Sequence, residues 1–171
     1  MRGDHDWPGT PFAGDSLQVF VCFLSAEVFA MIKVLVAENI RLLREALVTL
    51  LRLEGDIDVV AAVGTGDAII PAAIRLRPDV AIIEITVPDH DGLDAVVELR
   101  RRLPACRVLI LAGSCQPAVL RRSIQAQVNG FMLKDAGPHE LVHAIRTLAG
   151  GGGRSSIQNL RIRQLITPMV H

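Results

Sequence analysis

Residues 77–94 read RPDVAIIEITVPDHDGLD. From Val80 to Ile85 the stretch is continuously apolar apart from Glu84, with Pro78 before it and a Pro88–Gly92 loop after it. A run without polar alternation suits a strand covered on both faces. Such a strand belongs in a parallel sheet sandwiched between helices. Glu84 then stands near the carboxyl end of that strand, which is where open α/β sheets gather their functional groups.

Working outward, the same alternation recurs. Ile32–Ala37 is a β-branched apolar run, followed by Asn39 as a helix N-cap and by leucines at helical spacing (Leu42, Leu43, Leu47, Leu50, Leu51) up to Gly55. Ile57–Val63 is a second strand, and Asp67–Arg77 a helix that tolerates Pro71 in its first turn. Beyond the central stretch, Leu93–Leu103 reads as a helix and Arg107–Ala112 as a strand. Pro117–Val128 is a helix stopped by Asn129-Gly130, Phe131–Leu133 a short strand, and Pro138–Ala149 a last helix. Five strands alternating with five helices predict an α/β fold, a doubly wound parallel sheet with helices on both faces. The strand ends then expose four segments: 37–39, 84–92, 112–114 and 133–135.

Residues 1–30 depart from this pattern and read as a disordered or apolar N-terminal extension, with Met31 as a candidate native start. Residues 151–171 read as a flexible C-terminal tail. The apolar stretch 17–32 is interrupted by Glu27, is short for a membrane span and lacks a basic flank, so no membrane role is expected. The chain of 171 residues balances 18 basic against 18 acidic side chains and has one Trp and no Tyr. That composition disfavours a nucleic-acid surface built on charge or stacking. Three cysteines without paired spacing, Cys22, Cys106 and Cys115, suit reduced thiols in a cytoplasmic protein. Gly64-Thr65-Gly66 lacks the rest of a phosphate loop. His90, the pair His139 and His143, and the runs Arg100–Arg102 and Arg121-Arg122 read as solvated surface.

Four stretches in order carry a resemblance: KVLVAENIRLLREAL (33–47), RPDVAIIEITVPDHDGLD (77–94), RVLILAGS (107–114) and VNGFMLKD (128–135). Together they resemble the landmarks of bacterial response-regulator receiver domains, in character closest to the NarL/LuxR-type branch, over residues 31–150. The resemblance implies a CheY-like, flavodoxin-like strand order of 2-1-3-4-5. It implies Mg²⁺ held by an acidic pair after strand one and by an aspartate ending strand three, which accepts a phosphoryl group from a sensor histidine kinase. It also implies a hydroxyl after strand four and a lysine after strand five that contact the phosphate. Oxygen ligands suit Mg²⁺, and metal and ammonium together neutralise a transferring phosphoryl group.

Mapped residue by residue, Glu38 keeps one acid, Lys134 is the phosphate-contacting lysine, and Phe131 holds the aromatic switch position. Thr86 stands where the family uses a backbone carbonyl on the metal, so its side chain is not expected to be critical. Three positions depart. Asn39 replaces the second acid of the pocket, Glu84 occupies the phosphoacceptor position, and Ala112 replaces the switch hydroxyl, for which Ser114 two residues on is not expected to compensate. One added methylene moves a carboxylate by roughly 1.5 Å, enough to cost on the order of a hundredfold in a positioned reaction. Efficient phosphotransfer is therefore not expected, and Mg²⁺ is expected at most weakly. Glu84 is expected to pair with Lys134 instead, as a plain ion pair in a solvated cleft or as a stand-in for bound phosphate.

The resulting expectation is an atypical stand-alone receiver, a regulatory module in two-component signalling and transcription regulation and not an enzyme. It would act through a protein partner or a second copy, using the first helix (Arg41, Arg44, Glu45) and the last (Glu140, His143, Arg146). Alternatives are a conventional Mg²⁺-dependent phosphoacceptor and a small-molecule-sensing pseudo-receiver. With 18 residues after Gly153, direct DNA binding through an appended helix-turn-helix is not expected.

Overall fold

A computed structural model of the chain describes residues 31–86 and 91–151. The expectations for the N-terminal extension, for His90 and Cys22, and for the tail beyond residue 151 lie outside the described residues. The strands are β1 (Ile32–Ala37), β2 (Ile57–Val63), β3 (Val80–Ile83), β4 (Arg107–Ala112) and β5 (Gly130–Leu133). The helices are α1 (Arg41–Arg52), α2 (Ile69–Leu76), α3 (Gly92–Arg102), α4 (Pro117–Gln125) and α5 (Pro138–Ala149). The strands are parallel and lie in the order β2-β1-β3-β4-β5.

Both parities of the inner strands are buried, which is why they read as unbroken apolar runs. Leu35, Ala81, Ile83, Val108, Ile110 and Phe131 pack with Ile69 and Ala73 of α2, Leu93, Val96 and Leu99 of α3, and Leu120 of α4. On the other face Val34, Val36, Val80, Ile82, Leu109, Leu111 and Met132 pack with Leu47 and Leu51 of α1 and Leu141, Val142, Ile145 and Leu148 of α5. Two apolar layers around one sheet leave the strand ends as the place for polar chemistry.

Several local signals were settled by contacts other than those the sequence suggested. Asn39 does not cap α1; the N-cap is Ile40, without a side-chain cap, and Asn39 is exposed. The Glu38 carboxylate, through Oε1, accepts from the Ile40 amide at 2.9 Å instead. Gly55 does not end α1, whose C-cap is Leu53 in ordinary right-handed geometry. Asn129 does not stop α4, which already ends at Ala126, with Gln127 left-handed (φ 54°) after it. The Asn129 side chain accepts from the Val108 amide at 2.8 Å, and the Asn129 amide donates to the Val108 carbonyl at 2.9 Å, so it begins the pairing of β5 with β4. Pro71 does lie in the first turn of α2. The arginine run closing α3 is more engaged than a solvated face. Arg100 donates to the Gln127 carbonyl (2.6 Å) and side-chain oxygen (2.9 Å), while Arg101 and Arg102 share Glu98.

Candidate functional site

Three backbone hydrogen bonds just past the strand ends fix the bases of the polar side chains. The Glu38 amide donates to the Val63 carbonyl (3.1 Å), the Glu84 amide to Ala37 (2.8 Å) and the Lys134 amide to Ala112 (2.9 Å). Glu38, Glu84 and Lys134 therefore ride on the carboxyl ends of β1, β3 and β5. β4 separates β3 from β5, so Lys134 begins two strand spacings from Glu84, roughly 10 Å at about 4.8 Å per strand. The long lysine stem and the extra methylene of glutamate together cover that gap.

The Lys134 ammonium meets both carboxylates. It forms an ion pair with Glu84 Oε2 and stands 2.8 Å from Glu38 Oε2. Glu38 and Glu84 are only 1% and 4% exposed, so two charges are nearly removed from water and need a counter-charge. The second oxygen of each is also engaged. Glu38 Oε1 takes the Ile40 amide, and Glu84 Oε1 accepts from the Thr86 amide and hydroxyl, each at 3.1 Å. Burial pushes the Glu84 carboxyl up, but the Lys134 ammonium and the Thr86 donors outweigh it and hold the group below its ordinary value. Burial likewise pulls Lys134 down, while the two carboxylates hold it above its ordinary value. Glu38 Oε2 differs from its companions. It is fully buried and receives no well-directed hydrogen bond, so its ammonium contact is ionic and poorly aligned.

Of the positions singled out in the sequence, Glu38, Glu84 and Lys134 come together. Asn39 does not join them; it is exposed, and among the described residues its side chain makes no hydrogen bond. Ala112 is buried at the end of β4, and Phe131, 3% exposed, packs in the apolar layer beneath the cleft. Ser114 is exposed, and no hydrogen bond among the described residues ties it to the cleft. The Thr86 hydroxyl, which the resemblance leaves without a role, donates to Glu84 Oε1.

Sequence reasoning passed over two supports. Arg44 donates to the Glu38 carbonyl at 2.6 Å, bracing the loop after β1, and its guanidinium lies where a Cβ on Gly64 would stand, 2.7 Å away. Gly92, the first residue of α3, lies so close to the site that an added Cβ would be 2.4 Å from the Glu84 carbonyl oxygen. Helical spacing put Arg44 on α1, and the loop glycines were visible, but neither signal says which backbone lies opposite. Cys106 is buried, and that burial, with Asp79 nearby, pushes its thiol up to about 11, as suits an inert structural cysteine.

The Mg²⁺ implied by the resemblance does not fit this donor set. Mg²⁺ asks for near-octahedral oxygen coordination. Here one oxygen of each acid faces an ammonium and the other accepts from backbone N–H. Asn39 supplies nothing, and no cluster of three or more His, Cys, Asp or Glu side chains suited to a metal occurs among the described residues.

A parallel sheet ordered β2-β1-β3-β4-β5, with acids closing β1 and β3 and a lysine closing β5, defines the CheY-like, flavodoxin-type class. The model of the response regulator receiver domain matches residues 34–146, and the chain belongs to that family. It is similar to the transcriptional regulatory protein DesR of Bacillus subtilis, 37% identical over 121 residues that cover 71% of this chain and 60% of the relative. It is also similar to the DNA-binding transcriptional activator DevR/DosR of Mycobacterium tuberculosis, at 33% identity over 75% of this chain and 58% of the relative. The chain thus spans somewhat over half the length of these curated relatives. Among solved structures, the signal receiver domain of the putative response regulator NarL from Mycobacterium tuberculosis superposes with a TM-score of 0.68 at 30% identity, covering 71% of this chain and 98% of that one. A LuxR-family regulator from Aurantimonas, at 23% identity and a TM-score of 0.73, shares the fold over 81% of this chain and 97% of its own.

Proposed function

We propose that this chain is an atypical receiver of two-component signalling. In this reading its cleft holds an internal ion-pair network where a conventional receiver takes a phosphoryl group, and it regulates transcription through protein contacts. The observation that carries the reading is the Lys134 ammonium seated against both Glu38 and Glu84. The lysine that would contact a phosphate is already neutralised, and the acceptor carboxylate is engaged through both of its oxygens. Ala112 offers no hydroxyl to sense a phosphate. Family membership supports a regulatory role beside a sensor histidine kinase. No helix among the described residues is long and apolar enough to cross a membrane, which accords with action in the cytoplasm.

Incubating the full chain with acetyl phosphate and Mg²⁺ and weighing it intact tests this. The expected result is an unchanged mass; one added phosphoryl group mapped to Glu84 would refute the reading and restore a conventional phosphoacceptor.

The contact surface we favour is α1 rather than the charged residues first considered. Arg41 is paired with Glu45, Arg44 with the Glu38 carbonyl, and Arg146 with Glu54 and Asp56. The apolar side chains are the ones left outward: Leu42 is 79% and Leu53 82% exposed. They flank a hollow of about 450 Å³ along α1, lined also by Glu45, Ala46, Thr49 and Leu50. Knobs and a hollow on one face suit a self-complementary contact with a second copy.

A further inference from the structure

We propose that the ends of α2 and α3 form a docking surface for an acidic, partly apolar segment of a partner protein. The surface lies on the face of the sheet opposite α1, so it and a self-contact through α1 can be used together. The inference rests on the reading that the domain acts through protein contacts, and adds the chemistry of what one such contact receives.

The chain is neutral as a whole, but its charge is unevenly placed. Where α2 runs into β3 and α3 runs into β4, six arginines (Arg75, Arg77, Arg107 and the run Arg100–Arg102) meet two acids, Asp79 and Glu98. The fold brings both stretches to one place. β3 and β4 are neighbours with Val80 opposite Arg107, the Arg107 amide donates to the Asp79 carbonyl at 2.8 Å, and α2 packs against α3. Arg101 and Arg102 share Glu98, and Arg100 spends its hydrogen bonds on the neutral Gln127. Arg75, Arg77 and Arg107 form no ion pair among the described residues. The excess of positive charge is therefore open to an outside partner.

Basic residues in the last turn of a helix answer its dipole, which accounts for Arg75 and for Arg100–Arg102. It does not account for Arg107, on a strand, or for Arg77, which follows α2 in a left-handed conformation (φ 47°) and is exposed. Glycine takes that conformation without the steric cost a side chain bears. A guanidinium is held there all the same.

Apolar side chains decide between protein and nucleic acid as the partner. Ile74 on α2 is 40% and Val97 on α3 56% exposed. Ile74 adjoins Arg75 and precedes Arg77 by about one turn, and Val97 stands four residues before Arg101, on the same stripe of α3. Each helix thus offers an apolar knob beside a cation. A phosphate backbone would use the charges and leave the knobs wet. A segment carrying both carboxylates and apolar side chains uses both, with guanidinium forks suited to carboxylates. The one Phe, Tyr or Trp among the described residues, Phe131, is buried, so no platform for stacked bases is presented.

The test uses the full chain and a fluorescein-labelled synthetic helical peptide with glutamates on one face and leucines on the other, read by fluorescence anisotropy at low salt. Saturable binding with Kd below about 100 μM is expected, weaker as salt is added. Arg75→Glu with Arg77→Glu is expected to weaken it at least about tenfold, whereas Arg121→Glu, on exposed α4 surface, should change it less than about twofold. Arg77→Gly removes the charge while easing the left-handed turn, so its expected loss of affinity does not come from unfolding. Ile74→Ser with Val97→Ser is expected to bring the peptide down to the affinity of poly-glutamate. The inference is overturned if the peptide does not bind below about 1 mM, if the arginine changes leave its affinity unaltered, or if poly-glutamate binds the wild type as tightly. It is overturned too if a duplex DNA binds through these arginines more tightly than the peptide. No phosphoryl group enters the measurement, so failure here leaves the acetyl phosphate result untouched.

Discussion

At the scale of the residue, one methylene changes what a carboxylate can reach. Glu84 extends from the end of β3 to the ammonium of a lysine two strands away, and the same reach lets Thr86 hold its other oxygen. Lys134→Met should expose how much the trio matters. Removing one member of a buried pair costs about 3–5 kcal/mol. Lys134 is 19% exposed, so solvent screening puts the expected loss near or below ~3 kcal/mol in urea unfolding. The pH dependence follows from the two shifts. Glu84, held below its ordinary value, adds stability above the unfolded carboxyl range near pH 4.3, and that stability is lost as pH falls through the folded value. Lys134, held above its ordinary value, adds stability below about pH 10.4 that is lost as pH rises through its folded value. The gap between wild type and Lys134→Met should therefore narrow as pH falls, starting above the ordinary carboxyl range, where the unpaired buried acids of the variant take up protons, and be smallest once pH is below the folded value of Glu84. A gap unchanged down to pH 3 would show that packing of the lysine stem, not charge, sets it.

Among the elements, the loops that carry the site are held by contacts that sequence pattern does not encode. The start of α3 lies directly against the Glu84 carbonyl, so Gly92→Ala must push the helix start or the strand end aside. A loss of about 1–3 kcal/mol is expected, as for other overpacked sites, with hydrogen exchange at Ile85 and Thr86 faster than in the wild type. Asn129 makes the reverse case. It looked like a helix stop and is in fact the first link between β4 and β5. Asn129→Ala should leave the Val108 amide without a partner and cost about 1–3 kcal/mol in thermal or urea unfolding. A neutral result would mean that water replaces the lost acceptor.

For the whole molecule, two apolar layers bury the sheet, yet α1 still presents Leu42 and Leu53 to solvent. Sedimentation equilibrium at rising concentration should show reversible dimers, and Leu42→Glu with Leu53→Glu should abolish them while unfolding stays within about 0.5 kcal/mol, as for exposed sites. A strict monomer at high concentration would remove α1 as a self-contact. The order of strands, the two-sided burial and the placement of Glu38, Glu84 and Lys134 at strand ends were all legible from alternation and from four short motifs. The exposure of Asn39 and the partners of Thr86, Arg44 and Asn129 were not, because each is set by a neighbour distant in sequence or by a loop conformation that several residue types could adopt.

The sequence by itself determined the alternation of five strands and five helices, because apolar periodicity is a local property that every strand and helix states for itself, while the strand order followed from the resemblance to receiver domains. It also determined which residues reach the carboxyl edge of the sheet, since that follows from where each apolar run ends. Only the tertiary structure decided that Lys134 touches both acids at once, that Asn39 turns away from them, and that Glu38 Oε2 is left without a directed donor. Those outcomes depend on distances across four strands and on competition among donors for a few buried oxygens. No local pattern in the chain records either quantity.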